Sequence, residues 1–266
     1  MDIQNLNHKD IKFIHEMLPL GWEDVVPIFD WYTHTDFCYP VKVCIDKKIV
    51  GIGAAIVHNK SAWLAHIIVH ADYRNQGIGK ELTQSLVDTS YSKGCETIYL
   101  LATELGEPVY KKIGFETETE YMIYTCDATN GKFKMDENII AISNDFKKQI
   151  LNLDRQVSGE VRILVLEQHL SDGFLFLKDN KVQGFYIPNL GNGLIIATTN
   201  IAGIELMKLR LTLKDFAAFP IDNLNGTAFM EQNNFKKDRS EKRMRLGKKR
   251  NWQPQNIYNS IGGNLG

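Results

Sequence analysis

Between a run of apolar residues and a helical pattern lies the stretch HADYRNQGIGK, residues 70–80, with an arginine, two amides and two glycines. A strand ending at Val69, then Arg74-x-x-Gly77-x-Gly79, then a helix sets several unpaired backbone N–H groups at a helix N-terminus. Such donors converge, the helix dipole adds partial positive charge, and glycine lets an anion approach the backbone without a Cβ in the way. Arg74 can add a charge-assisted contact. The ligand this pattern suits is a phosphate or pyrophosphate. Two rival motifs fail. A Walker A loop needs GxxxxGK followed by Ser or Thr, and here Glu81 follows Gly79-Lys80; the dinucleotide fingerprint needs a third glycine where Leu82 stands. Read on its residues alone, the loop is equally an anion cradle or a plain glycine turn capping a helix.

The surrounding elements must hold that loop. A helical stretch (11–18, then 25–32) precedes two β-rich runs, 41–45 and 49–58, joined at Asp46-Lys47, which reads as a hairpin. Residues 62–69 form the next strand. After the loop, Ile78, Leu82 and Leu86 recur every four residues, and Gly94 stands where a helix would stop. A strand over 97–102, a short helix over 107–112 and a strand over 121–126 follow. Strands interleaved with helices imply an α/β layer structure. The polar stretch 127–134, with Asn130 and Gly131, marks a boundary between domains 1–130 and 131–266. Beyond it the order repeats. A helix over 147–169, broken near Ser158-Gly159, leads to strands 174–178 and 182–187 about a turn at Asp179-Asn180, then to 194–198. A helix (201–213), a strand (216–219), a helix (223–233) and a strand near 243–246 complete it. The glycine-rich tail, 251–266, reads as a loose end.

The stretch from Val69 to Gly79 resembles the signature loop of the GNAT superfamily of N-acetyltransferases, an Arg or Gln followed by x-x-G-x-G or x-x-G-x-A after a strand. Leu101-Ala102-Thr103-Glu104 and then Tyr110-Lys111-Lys112-Ile113-Gly114-Phe115 are similar to that superfamily's second signature, which ends Y-x-x-x-G-F. The resemblance spans roughly residues 45–126. The whole chain is also similar to a bacterial subgroup in which a degenerate second GNAT-like domain follows the first and a glycine-rich tail ends the chain. The resemblance implies an α/β fold with a mixed, mostly antiparallel sheet flanked by helices, duplicated in tandem. It implies acetyl-CoA as co-substrate and direct attack of a primary amine, a small metabolite, on the thioester. The alternative is an acyl-CoA sensor without turnover.

On this footing the cofactor lies along Ile67, Ile68 and Val69 and on the loop Arg74, Asn75, Gln76, Gly77, Ile78, Gly79 and Lys80, with the pyrophosphate on the amides of residues 76–80. An N–H of Ile68 or Val69 would face the developing oxyanion, and a preorganised donor of that kind contributes about 3 to 4 kcal/mol. Tyr110 would protonate the departing thiolate; its alternative is a packed core aromatic beside Phe115. Glu104 is the other catalytic candidate, as base or as a group that positions the acceptor. Trp22, Asp30 and Trp31 would receive a cationic amine through charge and cation–π contact, or else form part of an amphipathic helix. His66 and His70 alternate with Ile67 and Val69, so they are expected to face together, away from the cofactor.

The second half departs from the pattern. Aligning Asn233-Asn234-Phe235 with Ile113-Gly114-Phe115 puts Met230 where Tyr110 stands, and TNIAGIELMK after Thr198 has one glycine and no arginine. That half should not hold a second acetyl-CoA. The basic run from Lys236 to Arg250 reads as a solvated strand face. A net charge of −1 argues against nucleic acid and anionic membranes as partners. The four cysteines form no CxxC pair, so neither a disulfide framework nor a metal site is expected. No signal peptide or 18-residue apolar stretch is seen, and a cytoplasmic location is expected.

Overall fold

An amino-terminal strand that the hydrophobic pattern did not signal, β1 (Asp2–Asn5), pairs antiparallel with β2 (Cys38–Ile45) from Asp2↔Cys44 to Asn5↔Val41. Between them the expected first helix is two 3₁₀ turns, His8–Phe13 and His15–Met17, and then α1 (Val26–Thr33). The first turn is held by a capping box in which Asn7 and Asp10 exchange side-chain and backbone bonds. The computed structural model describes residues 1–17, 24–126 and 133–266; Trp22 and the expected boundary at residues 130–131 lie outside them.

β2 and β3 (Lys48–His58) form the expected hairpin. Asp46 and Lys47 take φ of 49° and 67°, the left-handed pair that a two-residue type I′ turn requires. β4 (Ser61–Val69) pairs antiparallel with β3, but not evenly. Ile68 faces Ile52 and Ala65 faces Ala54, so His66 and Ile67 together oppose Gly53 in a β-bulge, with His66 at φ 49°. α2 (Ile78–Ser92) buries Ile78, Leu82 and Leu86 against the sheet, and Gly94 follows its cap at φ 79°. β5 (Thr97–Ala102) runs parallel to β4, in register only from Ser61↔Thr97 to Trp63↔Tyr99. α3 (Glu107–Ile113) ends at Gly114, φ 109°. These elements, with residues 244–249 and 263–265, make one compact unit.

The second unit comprises residues 117–243, 250–262 and 266. β6 (Glu116–Thr125) enters it, followed by the short β7 (Ile139–Ala141). α4 (Lys147–Ser158) stops at Gly159, φ 71°, where the break was expected, and α5 (Ile163–Leu166) is a single turn. β8 (Phe174–Lys178) and β9 (Lys181–Ile187) repeat the hairpin, with Asp179 and Asn180 at φ 51° and 57°. Then come β10 (Leu194–Ala197), α6 (Asn200–Leu211), β11 (Phe216–Pro220), α7 (Leu224–Gln232) and the long β12 (Lys236–Gly247). β11 lies antiparallel to β6 with Ala217 opposite Tyr124.

Two expectations fail here. The tail is no loose end: β13 (Ile257–Asn259) joins the sheet order β13-β10-β9-β8-β7, and Tyr258, Asn259 and Ile261 are buried. The basic strand is not wholly solvated either. Arg243 is 2% exposed, its Nε 3.2 Å from Glu118 and its guanidinium carbon 3.9 Å from the Trp252 ring centroid. Ion pairing and cation–π stacking offset the desolvation of that charge.

Candidate functional site

The loop that follows β4 is shaped by two left-handed residues, Asn75 (φ 62°) and Gly77 (φ 85°). Asn tolerates that conformation, which residue type alone did not single out. Gly77 caps α2, and a Cβ built there would meet nothing within 4 Å, so the backbone opens onto free space. Among the described residues, the N–H groups of Gln76, Gly77, Ile78 and Gly79 donate to no backbone carbonyl, whereas those of Lys80 and Glu81 bond to Gly77 O at 3.0 and 3.1 Å. The row of amides without a backbone acceptor is therefore residues 76–79, one shorter than the expected row of 76–80. Arg74 Nε donates to Val69 O at 3.2 Å, tying the loop to the end of β4.

β4 supplies the second feature. Its ladder to β5 ends at Trp63↔Tyr99, so the last part of β4 has an edge with no β5 residue in register beside it. The bulge changes which way its side chains point. His66 turns to Tyr32 on α1, whose hydroxyl is 3.0 Å from His66 Nδ1, with Phe29 beside the ring. His70 instead accepts from Asp72 N–H and stands edge-on to Tyr73. The two histidines do not share an environment; strict alternation across residues 66–70 breaks at the extra residue.

Asn264, in the tail, donates from Nδ2 to Tyr32 Oη at 3.2 Å. With Asn264 donating to its oxygen, Tyr32 has its own proton free for His66 Nδ1, the arrangement in which the ring proton of His66 sits on Nε2. Burial lowers the His66 pKa to about 4, so the ring is neutral near pH 7. Burial likewise pushes up the Tyr32 phenol. Sequence reasoning missed both Tyr32 and Asn264. Tyr32 reads as one more apolar position of a helix, and Asn264 lies over 200 residues from its partner.

Tyr110 lies on α3, 9% exposed, in the same buried cluster as Ile78 and Phe115, with Val69 and Tyr73 packed against it. Its ring meets Phe115 edge-on at 6.1 Å. Among the described residues its hydroxyl has no hydrogen-bond partner, and burial raises its pKa to about 12. The fold thus brings the loop, the end of β4 and Tyr110 together. The remaining expected residues are placed differently. Glu104 is exposed in the turn after β5. Trp31 packs on Tyr32 and Phe37. Asp30 bonds to His8 Nδ1 at 2.7 Å and lies 3.9 Å from His34 Nδ1. His8, Asp30 and His34 set three ligand-type atoms within 4.8 Å, a grouping that sequence spacing hid because His8 comes from another element. Two of those contacts are already hydrogen bonds: His8 Nδ1 is held by Asp30, and His34 Nδ1 by the Asp30 carbonyl at 2.9 Å. A cleft of about 300 Å³ lies beside Tyr32, His34 and Tyr39, at the other end of α1 from Pro27 in its first turn, and no residue of the glycine loop lines it.

Residues 7–115 match the acetyltransferase (GNAT) family. The glucosamine 6-phosphate N-acetyltransferase of Trypanosoma brucei brucei is 33% identical over 78 residues, 29% of this chain and 50% of that protein. The match spans about half the length of that curated relative. The crystal structure of a candidate acetyltransferase from Pyrococcus horikoshii covers 100% of this chain and 95% of its own, with TM-score 0.83 at 23% identity. A GCN5-related N-acetyltransferase from Sphaerobacter thermophilus superposes with TM-score 0.65 at 10% identity, over 92% of this chain and 95% of its own. At those identities the likeness is one of fold, and it extends over both units.

Proposed function

We propose that this protein, residues 7–115 of which match the acetyltransferase (GNAT) family, transfers an acetyl group from acetyl-CoA to a primary amine of a small molecule. The observation that carries the reading is the row of uncommitted amides at residues 76–79, facing open space at a helix N-terminus. The pyrophosphate lies on that row, and Arg74 adds charge from the strand end. Lys80 contributes its side chain, since its amide is committed to Gly77. The pantetheine arm pairs with the free edge of β4 at Ile67, Ile68 and Val69, and brings the thioester to the bulge.

The neutral amine attacks the carbonyl carbon; an N–H of Ile68 or Val69 stabilises the oxyanion. The C–S bond then breaks, the amine's surplus proton leaves to water, and Tyr110 protonates the thiolate. A phenol with a raised pKa is fully protonated at neutral pH, and the Tyr110 hydroxyl has no competing partner. His66 is not the base: Nδ1 is occupied by Tyr32, and the ring is held neutral with its proton on Nε2. It serves as a fixed hydrogen-bond donor at the bulge. Glu104, exposed beyond β5, and Asp30 with Trp31 on α1 take part in acceptor capture; Trp22, expected in the same role, lies outside the described residues.

The second unit repeats the element order of the first, hairpin, strand, helix, strand, helix, strand, and is the degenerate copy of a tandem pair. The acceptor panel begins with amino sugars and their phosphates, since the Trypanosoma brucei brucei relative is named for one. Thiol release from acetyl-CoA, followed across that panel and a set of aminoglycosides, polyamines and peptides, tests the reading. Amine-dependent release with tight acetyl-CoA binding supports it; absence of acetyl-CoA binding by calorimetry overturns it.

A further inference from the structure

The second unit holds a site that the first half of the chain makes intelligible. In the first unit the last part of β4 has no β5 residue in register beside it. In the second, the corresponding strand β10 is paired along its edge by the chain's own tail. β13 runs antiparallel to it, Ile195 opposite Asn259 and Ile196 opposite Ile257. On its other side the same segment bonds to β11: Ser260 N–H donates to Ala218 O at 2.8 Å, and Ala218 N–H donates to Asn259 Oδ1 at 2.9 Å. The tail is thus wedged between two strands and hydrogen-bonded to both.

The side chains are received as specifically as the backbone. Tyr258 lies on Gly203 of α6, where any Cβ would come within 2.2 Å of the ring, and its hydroxyl donates to Asn200 Oδ1 at the N-terminus of that helix. Asn259 is fully buried and donates to Gly193 O at 2.7 Å and Asn192 O at 3.1 Å. Asn223, which caps α7 through its Oδ1, donates from Nδ2 to Ile257 O at 2.9 Å. Each buried polar atom of the insert so named meets a partner supplied by the cleft, as a binding site requires.

We propose that the cleft between β10 and β11 is a strand-binding site whose ligand is an extended peptide of the pattern Ile-Tyr-Asn-Ser, supplied in cis by residues 257–260. Backbone pairing gives the affinity of β-augmentation, and the Tyr258 and Asn259 receptacles give selectivity. Gly203 is required because the tyrosine ring needs the space a side chain would fill. An occupied cleft also closes the second unit to a pantetheine arm, independently of the glycines its loop lacks. The inference stands whether or not the first unit transfers acetyl groups.

The experiment uses the full chain and a synthetic peptide of residues 251–262. In the wild-type protein the tail competes in cis, so the added peptide binds weakly. Tyr258→Ala weakens the tail's hold, and the peptide should bind that variant at least about tenfold more tightly than wild type, one per chain, since a buried aromatic anchor dominates such interfaces. The peptide should also raise the variant's melting temperature, which keeps the test valid if the variant is unstable. Adding Gly203→Ala to Tyr258→Ala should abolish that binding. In Gly203→Ala alone, hydrogen exchange should quicken at residues 257–260 and not across β8 and β9. A Tyr258→Ala chain that neither binds the peptide nor is stabilised by it overturns the proposal, as does binding that survives Gly203→Ala. Acetyl-CoA affinity of the same variants, expected unchanged, separates this result from any failure of the first unit.

Discussion

Tyr110 combines a buried ring with a hydroxyl that no described residue engages. Tyr110→Phe should therefore leave stability and acetyl-CoA affinity close to wild type, because the ring's buried area is kept. Both kcat and kcat/KM should drop by about 10² to 10⁴, less if a water stands in for the hydroxyl; steady-state rates on the best acceptor check this, and wild-type turnover would leave Tyr110 as packing. His66 makes a pH prediction. Its folded pKa, about 4, is below the ordinary 6.5, so the unfolded chain binds the extra proton first as pH falls. The stability it contributes is present above pH 6.5 and is lost as pH drops towards 4, by up to about 3 kcal/mol. Urea melts across that window should show the slope, and His66→Gln should flatten it. Asn264 acts at the same scale. Removing its amide by Asn264→Ala takes away about 1 kcal/mol of preference for the Nε2 proton, roughly a fivefold shift in tautomer ratio. Nitrogen NMR of the His66 ring reads that ratio directly, and an unchanged ratio would exclude the tail from the proton inventory.

At the scale of elements, α2 shows how one helix serves both core and site. Ile78, Leu82 and Leu86 fasten it to the sheet, while its N-terminus is left facing open space by Gly77. Gly79 is less constrained: a Cβ there would meet Val69 Cγ2 at 3.7 Å, ordinary contact. Gly77→Glu should abolish acetyl-CoA binding measurable by calorimetry, through a φ of 85° that costs an L-residue about 1 to 2 kcal/mol and through repulsion of the pyrophosphate. Gly79→Ala should bind nearly as wild type. Equal losses from both would mean that the loop, not the helix terminus, carries the anion. The β4 bulge is the other such element. One extra residue opposite Gly53 turns His66 toward α1 and ends the regular alternation at the start of the segment proposed to pair with the pantetheine arm.

For the whole molecule, each unit carries its own hairpin, crossover helix and core, and only the first has an Arg-x-x-Gly-x-Gly loop before its crossover helix and a tyrosine, Tyr110, on the short helix that follows. The expected stoichiometry is one acetyl-CoA per chain. Titration calorimetry on the full protein checks it, and two equivalent sites would refute the degeneracy of the second unit. The tail contributes to both units: residues 250–262 are counted with the second and 263–265 with the first. Truncation from the C-terminus is therefore expected to disturb more than a terminus usually does.

Local patterns sufficed for much of this protein. The hairpin turns at Asp46-Lys47 and Asp179-Asn180, the period-four face of α2, the stops at Gly94 and Gly159 and the glycine loop at the N-terminus of α2 are all written in short-range residue order, because turn geometry, helix periodicity and capping depend on neighbours in sequence. Two such local motifs also carried the resemblance to the GNAT superfamily, and residues 7–115 match that family. Tertiary structure alone decided the rest. The bulge at His66 exists only because β3 sets the register of β4. Tyr32, His66 and Asn264 come from an α-helix, a strand and a tail separated by up to 232 residues, and no local pattern marks groups whose partners lie that far apart. The tail looked loose because its glycines and polar residues have no core of their own; between β10 and β11 it finds the hydrogen-bond partners that a free segment would have sought in water.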